Sequence, residues 1–255
     1  MNRVQVAGLK FDSLRFNEAV NRIISIANRR DRPTPFVVTP NVDHLLRLEK
    51  SPELRQIYQS AALVLADGMP LVWLSRLRSK GLPERVTGAD LLPSICESAA
   101  THGIGVYLLG GPPGAAKNAA DSLKKEHPGL IVGEYCPPFG FEFDDIENQR
   151  IITLINEQAP GVLFVGVGSP KQEIWIARFR SQLNVGICLG VGAAIEFQAG
   201  LLKRAPRWMQ RSGTEWIYRM LSDPRRLVKR YASNAAFLLV VGREILGKQK
   251  NIDIR

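Results

Sequence analysis

The chain has 255 residues, of which 45% are hydrophobic and 23% charged, and its formal charge at pH 7 is +10. These proportions are typical of a globular protein with a sizeable core, and they exclude a disordered or fibrous chain. The three cysteines are far apart and form no CxxC pair, which excludes a zinc ribbon or a disulfide scaffold and favours a reducing, cytoplasmic compartment.

Short apolar runs alternate along the chain with longer amphipathic segments. The runs that predict strands are residues 4–9, 36–39, 63–66, 105–109, 130–132, 162–167 and 186–191. The segments that predict helices are residues 16–29, 42–59, 70–79, 89–101, 114–126, 145–158 and 170–182. This alternation predicts an α/β, Rossmann-like fold, in which helices flank a mainly parallel sheet and the crossovers are right-handed.

The basic charge is concentrated at the C-terminal end. Residues 1–202 contain 21 basic and 20 acidic side chains, whereas residues 203–255 contain 13 and 4. We therefore predict an α/β core over 1–202 and a basic helical C-terminal appendage over 203–255. Within this appendage, Arg204, Arg207 and Arg211 would share one helical face. It is either a helix pair docked on the sheet with a solvated charged side, or a surface for anionic lipid or another anionic ligand.

The sequence does not predict a membrane span. Its first residues lack the apolar core of a signal peptide. The longest late apolar run, residues 235–241, is far shorter than the roughly 20 residues that cross a bilayer. We therefore expect any membrane association to be peripheral.

Four polar clusters fall where predicted strands give way to helices, and open parallel sheets bind ligands at the carboxyl ends of their strands. The first cluster, residues 39–44, is Thr-Pro-Asn-Val-Asp-His, and Asn41 can cap the helix that follows. The second, residues 66–70, is Ala-Asp-Gly-Met-Pro. Asp67 fits either a tight turn or a general base, and Pro70 can begin the next helix.

The third cluster, residues 85–90, is Arg-Val-Thr-Gly-Ala-Asp. Thr87 and Asp90 resemble a capping pair at the start of a helix. Capping does not explain Arg85, which is a fixed cation that could hold a phosphate or a carboxylate.

Glycines characterise the fourth cluster, residues 166–173, and a similar segment at residues 110–114. Ser169 and Gln172 fit a capping box with Pro170 at the first helical position. The glycines of this cluster, like Gly110 and Gly111, would let an anion approach a helix N-terminus. Neither segment is a GxGxxG or Walker A motif, so each alone is a weak phosphate signal.

Several common catalytic signatures are absent from the sequence. GxSxG, HExxH and Cys/His metal-ligand spacings do not occur. No Asp-x-Asp pair occurs either, which is the common carboxylate pair that holds a metal on a nucleotide-sugar diphosphate. We therefore predict neither a metal nor a cofactor. Of the three histidines, only His44 lies beside a polar cluster.

Taken in order, the clusters resemble the WecG/TagA/CpsF family of bacterial glycosyltransferases. The matching stretches are residues 39–44, 66–70, 85–90, 109–111, 166–173 and 190–193, and then 204–208, 215–219 and 224–226 in the basic end. Each motif is weak alone, but the ordered set is specific and covers most of the chain.

The resemblance implies an inverting, metal-independent transfer of a hexosyl unit from a UDP-sugar to a polyprenyl-diphosphate-linked sugar. In the best-known branch the donor is UDP-N-acetylmannosamine and the acceptor is undecaprenyl-diphosphate-N-acetylglucosamine. The reaction takes place at the cytoplasmic face of the membrane during cell-surface polysaccharide synthesis, which implies peripheral association with an anionic membrane surface.

The resemblance also implies site residues. Asp67 matches the base that deprotonates the acceptor hydroxyl, and Thr39 and Asn41 match pocket positions that orient the sugars. Further candidates for substrate binding are Arg85, Gln172, Gly110 and Gly111. Without a metal, cations must neutralise the departing diphosphate. The candidates for this role in the appendage are Arg207, Arg211, Arg219 and Arg226.

Two other functions stay open from the residues alone. One is a nucleotide-dependent Rossmann oxidoreductase, although no strand–GxGxxG–helix unit occurs near the start of the chain. The other is a nucleic-acid-binding module built on the basic, aromatic C-terminal end, which leaves the strand-end clusters unexplained. The favoured interpretation expects no nucleic acid as a partner and allows for a homo-oligomer.

Overall fold

The computed structural model describes residues 2–77, 81–206, 208, 209, 215 and 218. The candidate diphosphate-binding arginines, which are Arg207, Arg211, Arg219 and Arg226, lie outside the described residues, as does most of the predicted appendage. Their roles and the boundary after residue 202 therefore stay predictions.

A six-stranded parallel sheet forms the centre of the fold. The strands in chain order are β1 Arg3–Val6, β2 Leu9–Asp12, β3 Phe36–Val38, β4 Leu63–Val64, β5 Val106–Gly110, β6 Val132–Tyr135, β7 Val162–Gly166 and β8 Ile187–Gly190. The large sheet has the order β4-β3-β8-β7-β5-β6, and each pair of neighbours is parallel. The predicted α/β, Rossmann-like fold is confirmed.

Helices cover both faces of this sheet. They are α1 Phe16–Ala27, α2 Val42–Lys50, α3 Pro52–Gln59, α4 Met69–Arg76, α5 Gly88–Thr101, α6 Ala115–Glu126, α7 Asp145–Gln158, α8 Lys171–Phe179 and α9 Ala194–Gln198. Within β7, Phe164 packs into the core beneath α1, α5, α6 and α9, whereas Leu163 and Val165 pack into the core on the other face. Because its strands are buried on both faces, the sheet is built from continuous apolar runs.

The predicted single strand over residues 4–9 is wrong. This segment turns back at Ala7 and Gly8, and β1 pairs antiparallel with β2 in a separate two-stranded sheet. Both turn residues have positive φ, at +48° and +77°. A two-residue turn with positive φ at both positions matches the twist of a hairpin.

The predicted helix over residues 42–59 is two helices. Ser51 lies between α2 and α3 in an extended conformation, as the residue before a proline prefers. Its side-chain hydroxyl oxygen accepts the backbone N–H of Leu54 at 3.2 Å and so caps α3.

The connections between strands change direction between β5 and β7. After β5 the chain moves outward to β6, whereas after β7 it moves to β8 on the opposite side. The two connecting helices, α6 and α8, accordingly pack on opposite faces. Such a switch point leaves a crevice at the carboxyl ends of the strands, where open α/β sheets bind ligands.

Candidate active site

Asp67 lies at the carboxyl edge of the sheet, on the loop that joins β4 to α4. Its backbone N–H donates to the carbonyl oxygen of Pro40 at 3.0 Å, which fastens this loop to the one after β3. Gly68 has a φ of +141°, a conformation that favours glycine, and Pro70 lies in the first turn of α4 as predicted. Asp67 itself is half-buried.

Thr39 and Asn41 lie on the neighbouring loop, which follows β3. Thr39 is buried. The side-chain oxygen of Asn41 accepts the backbone N–H of His44 at 3.3 Å, which confirms the predicted cap of α2. Capping does not use the amide –NH₂ group of Asn41, so this residue can hold the helix and still donate to a ligand.

An ion pair in α2 connects the first cluster to the fourth. Nη2 of Arg47 lies 2.9 Å from Oδ2 of Asp43, and Nη1 of Arg47 donates to the carbonyl oxygen of Ser169 at 2.8 Å. His44, in the same helix, is buried and meets the ring of Tyr58 edge to face, with the ring centroids 6.2 Å apart. His44 therefore packs in the interior against α3.

The third cluster lies beside the second. The backbone N–H of Val86 donates to the carbonyl oxygen of Ala66 at 2.8 Å. Oγ1 of Thr87 accepts the backbone N–H of Asp90 at 3.1 Å and donates to the Asp90 carboxylate at 2.7 Å. The predicted capping pair at the start of α5 is confirmed.

Asp90 also belongs to a cluster of four charged side chains. Its carboxylate lies 2.6 Å from Nη1 of Arg204 and 3.7 Å from Nη2 of Arg85. Oε2 of Glu215 lies 3.3 Å from Arg85 and 4.0 Å from Arg204. Burial raises the pKa of Asp90, but the hydrogen bonds from Arg204 and Thr87 and the guanidinium charges outweigh burial and hold that pKa below its usual range. A phosphate at Arg85 would therefore compete with two carboxylates.

The predicted capping box of Ser169 and Gln172 is wrong. Pro170 is itself the N-cap residue of α8, follows a cis peptide bond and makes no side-chain cap. The hydroxyl of Ser169 faces the side chains of Tyr58 and Glu173 instead. Capping therefore does not explain this serine.

The Gln172 amide joins the first turn of α8 to the loop after β8 at the carboxyl edge. Its nitrogen donates to Oε1 of Glu173 at 2.9 Å, and its oxygen accepts the backbone N–H of Gly192, after β8, at 3.0 Å. A Cβ on Gly190 would lie 2.7 Å from the Gln172 nitrogen, so a larger residue at position 190 would displace this amide. One N–H and one lone pair of Gln172 are left for a ligand.

Glu173 is a buried carboxyl group beneath this amide, and the sequence gives no reason to select it. Its side chain is 1% exposed. Burial raises the pKa of Glu173, although the hydrogen bond from Gln172 and the nearby hydroxyls of Ser169 and Tyr58 oppose that shift. Within the described part of the chain, its Oε2 has no hydrogen bond of good geometry. A glutamate in the first turn of a helix is ordinarily exposed to solvent and interacts favourably with the helix dipole. The sequence therefore does not indicate that Glu173 is buried.

The glycines at the switch point divide into two kinds. Gly110 and Gly111 have φ of +115° and +82°, and a Cβ on Gly110 would lie 2.7 Å from the carbonyl oxygen of Gly166. The N–H of Gly111 already donates to that oxygen at 3.0 Å, and a Cβ on Gly111 would lie 2.7 Å from Cβ of Ala115, so packing within the fold accounts for this pair. At Gly168 and Gly192, an added Cβ would meet no described atom within 4 Å. Packing against the described residues therefore does not account for these two glycines.

Two further observations concern the residues that the structure describes. They contain no group of three or more His, Cys, Asp and Glu side chains placed to hold a metal ion. None of their helices combines the length and the apolar character that crossing a bilayer requires.

A doubly wound parallel sheet with polar loops converging on its carboxyl edge is the architecture of an enzyme that binds a nucleotide or a related ligand at that edge. Residues 4–251 match the model of the Glycosyl transferase WecG/TagA/CpsF family. The chain therefore belongs to this family and is a glycosyltransferase, which sets aside the oxidoreductase alternative.

Curated relatives agree with this assignment. The chain is 27% identical over 225 residues to an N-acetylglucosaminyldiphosphoundecaprenol N-acetyl-beta-D-mannosaminyltransferase of Staphylococcus aureus strain MW2. It is equally similar to the protein of the same name in strain NCTC 8325 / PS 47. In both comparisons the similarity covers 88% of this chain and 87% of the relative.

Proposed function

We propose that the protein transfers N-acetylmannosamine, or a related hexose, from a UDP-sugar to a sugar carried on a polyprenyl diphosphate in cell-surface polysaccharide synthesis. The observation that carries this proposal is the name of the curated relatives, which specifies both the transferred sugar and a diphosphoundecaprenol-linked acceptor. The contacts of Asp67 with the loop after β3 and of Val86 with Ala66 support it, because they gather three of the four clusters at one edge.

Asp67 is the proposed general base. In a single displacement, the acceptor hydroxyl oxygen forms a bond to the anomeric carbon of the donor while the bond from that carbon to the diphosphate oxygen breaks. The hydroxyl proton passes to the Asp67 carboxylate, UDP leaves with the bonding electrons, and the anomeric configuration inverts. Thr39 and Asn41, on the adjacent loop, would orient the sugars by hydrogen bonding.

The departing UDP develops negative charge on its diphosphate. In the proposed metal-independent reaction, cationic side chains and helix N-termini neutralise this charge. The proposed contributors are Arg207, Arg211, Arg219 and Arg226 in the appendage and Arg85 in the core. Gln172 is proposed as a neutral pocket residue that binds substrate by hydrogen bonding. Arg85 already forms ion pairs with Glu215 and Asp90. A diphosphate bound at Arg85 would have to replace one of these carboxylates, which supports a link between donor binding and the contact of Glu215 with the core.

We also propose that the protein acts at the inner face of the cell membrane. A polyprenyl chain confines the acceptor to the bilayer, so the enzyme must come to the membrane surface. The net excess of basic residues in 203–255 supports attraction to anionic lipid.

A donor screen tests this function. Purified full-length protein is incubated with a panel of UDP-sugars and a short-chain prenyl-diphosphate-N-acetylglucosamine, and UDP release is followed with and without EDTA. We expect release with UDP-N-acetylmannosamine or one related donor, no loss with EDTA, and an inverted anomeric centre by NMR. Release that requires a divalent metal would reject metal independence, and transfer from none of the UDP-sugars would reject the donor class.

A further inference from the structure

The loop between β6 and α7, residues 136–144, exposes apolar side chains. Phe139 is 100% exposed, Phe143 is 87% exposed, and Ile146 in the first turn of α7 is 84% exposed. Among the residues that the structure describes, these are the three most exposed large hydrophobic side chains. We call Phe139, Phe143 and Ile146 the apolar tip. A single exposed apolar residue needs no explanation, but three so close in sequence mark an interaction surface.

A buried polar network fixes the shape of this loop. Asn148 is fully buried, and its side-chain nitrogen donates to the carbonyl oxygens of Phe141 at 3.0 Å and Asp144 at 2.9 Å. Its side-chain oxygen accepts Nε1–H of Trp175 at 2.8 Å. Phe141 is buried and packs against Trp175, with the ring centroids 6.5 Å apart. The exposed phenyl rings are therefore carried on an ordered frame, and their exposure is not a consequence of loose packing.

The charges beside the apolar tip are paired. The pairs are Glu142 with Lys171, Asp145 with Arg178 at 3.0 Å, and Glu147 with Arg150 at 3.7 Å. Asp144 caps α7 by accepting two backbone N–H groups of its first turn. A paired charge costs less to bring towards an apolar phase than an isolated one. The loop therefore combines apolar side chains with little uncompensated charge.

The apolar tip lies beside the fourth cluster of the candidate active site, residues 166–173. Nζ of Lys171 lies 5.1 Å from the centroid of the Phe139 ring. Lys171 is the first residue of α8 and is followed by Gln172, whose amide contacts the loop after β8 at the carboxyl edge. The loop itself follows the carboxyl end of β6. The exposed rings and the proposed catalytic loops therefore lie along the same edge of the sheet.

We propose that the apolar tip inserts into the hydrocarbon boundary of a lipid bilayer and sets the carboxyl edge of the sheet against the membrane. This inference rests on the proposed function, in which a polyprenyl chain holds the acceptor sugar at the membrane surface. Burial of phenyl rings does not depend on lipid charge. Membrane binding by the apolar tip should therefore persist on neutral lipid and at high salt. Electrostatic binding by the basic C-terminal residues should not.

Vesicle sedimentation of the full-length protein tests the proposal. The vesicles are neutral phosphatidylcholine, in salt of about 1 M, where the Debye length is about 3 Å and attraction to basic residues is screened. The test variant is Phe139→Ser with Phe143→Ser. The matched control is Ile131→Ser, because Ile131 is 59% exposed but precedes β6, at the opposite edge of the sheet. Phe139→Trp with Phe143→Trp serves as the conservative variant, since tryptophan favours the membrane interface.

We expect the wild type, the Ile131 control and the tryptophan variant to bind, and the serine variant to bind at least about tenfold more weakly. Equal unfolding temperatures of all four proteins would show that the loop is intact. The proposal is overturned if the wild type does not bind neutral vesicles in high salt, or if the serine variant binds equally well. A serine variant that only changes a dimer to a monomer in light scattering would assign the tip to a second copy of the chain and also overturn it. If the wild-type protein transfers sugar but its vesicle binding does not depend on Phe139 and Phe143, only this inference is rejected. If its vesicle binding depends on these residues but it transfers no sugar, only the proposed function is rejected.

Discussion

The carboxylate of Asp90 accepts a hydrogen bond from the guanidinium of Arg204 at 2.6 Å, although 114 positions separate the two residues in the chain. This contact joins the start of the predicted appendage to the N-terminus of α5. Arg85 and Glu215 complete the cluster, so residues 204 and 215 are tied to the start of α5 and to the loop between α4 and α5. The contribution of the Asp90 carboxylate to the free energy of unfolding depends on pH.

Replacement of Asp90 by asparagine should lower the free energy of unfolding at pH 7 by about 1–2 kcal/mol, because Arg204 and Arg85 lose a charged partner. The pKa of Asp90 is below its usual range in the folded state, so this stabilisation is present above the ordinary aspartate pKa of about 3.9 and is lost as the pH falls through the folded pKa. Urea unfolding of Asp90→Asn and the wild type at pH 7 and at pH 2 measures the difference in unfolding free energy under the two conditions. Asp121→Asn, on the exposed side of α6, is the control and should change stability by less than about 0.5 kcal/mol. An Asp90→Asn effect of the same size at both pH values would contradict the assignment to charge.

Replacement of Glu173 by glutamine should stabilise the protein at alkaline pH. Burial raises the pKa of this carboxyl in the folded state. The protonated form therefore favours folding, and its contribution is present below the ordinary glutamate pKa of about 4.3 and is lost as the pH rises through the folded pKa. Glutamine retains the shape without ionising, so the variant should gain on the order of 1 kcal/mol at pH 8 and nothing at pH 4.

Unfolding free energies from pH 4 to pH 8 test the Glu173 prediction. Glu157→Gln, at an exposed position of α7, is the matched control and should give only a small difference at every pH. A Glu173→Gln variant that is destabilised equally across this range would show that the carboxylate is ionised and structurally required.

Replacement of Asp67 by asparagine should lower the rate of sugar transfer by about 10²- to 10⁴-fold, because the amide cannot take the proton of the acceptor hydroxyl. Binding of UDP should stay within about twofold of the wild-type value, since the backbone contact of Asp67 with Pro40 is retained. UDP release measures the rate, and calorimetry measures the affinity. Turnover within tenfold of wild type would exclude Asp67 as the base.

Replacement of Gly110 by alanine should destabilise the protein by about 2–4 kcal/mol. The new methyl group would lie 2.7 Å from the carbonyl oxygen of Gly166, and the backbone has a φ of +115°. Gly129→Ala is the control, because φ there is +93° but an added Cβ meets no described atom within 4 Å. Since backbone strain is common to both sites, thermal unfolding should show the larger loss at Gly110. Equal losses of stability at Gly110 and Gly129 would show that backbone strain, and not contact with Gly166, causes the effect.

Local rules predicted the parts of the fold that depend on neighbouring residues. The apolar runs of β5 and β7 indicated strands buried on both faces, and the caps at Asn41 and Thr87 marked two helix starts. Their placement at the carboxyl edge follows from the rule for parallel sheets. The sequence therefore suffices to predict that the loops around Asp67 lie at one edge of the sheet.

The features that the sequence hid depend on distant contacts. The hairpin at Ala7 and Gly8 was hidden because an alanine with positive φ is uncommon and gives no turn signal of its own. Ser169 looked like a cap, but its hydroxyl faces Glu173 and Tyr58, and Tyr58 comes from a helix more than a hundred residues earlier. Sequence spacing cannot show a contact between residues so far apart in the chain.

The hairpin that the sequence hid also protects the outer strand of the large sheet. β4 lies at the edge of the large sheet, and the backbone N–H of Val64 is directed towards Asp12 of β2 and not towards β3. Oδ2 of the buried Asp12 accepts this N–H at 2.9 Å, and Oδ1 of the same carboxylate accepts Nε–H of Arg3 at 2.8 Å. An edge strand with a free N–H is a template for pairing with another chain. The carboxylate of Asp12 pairs this N–H, so the strand that leads to Asp67 does not offer it to a strand of another chain.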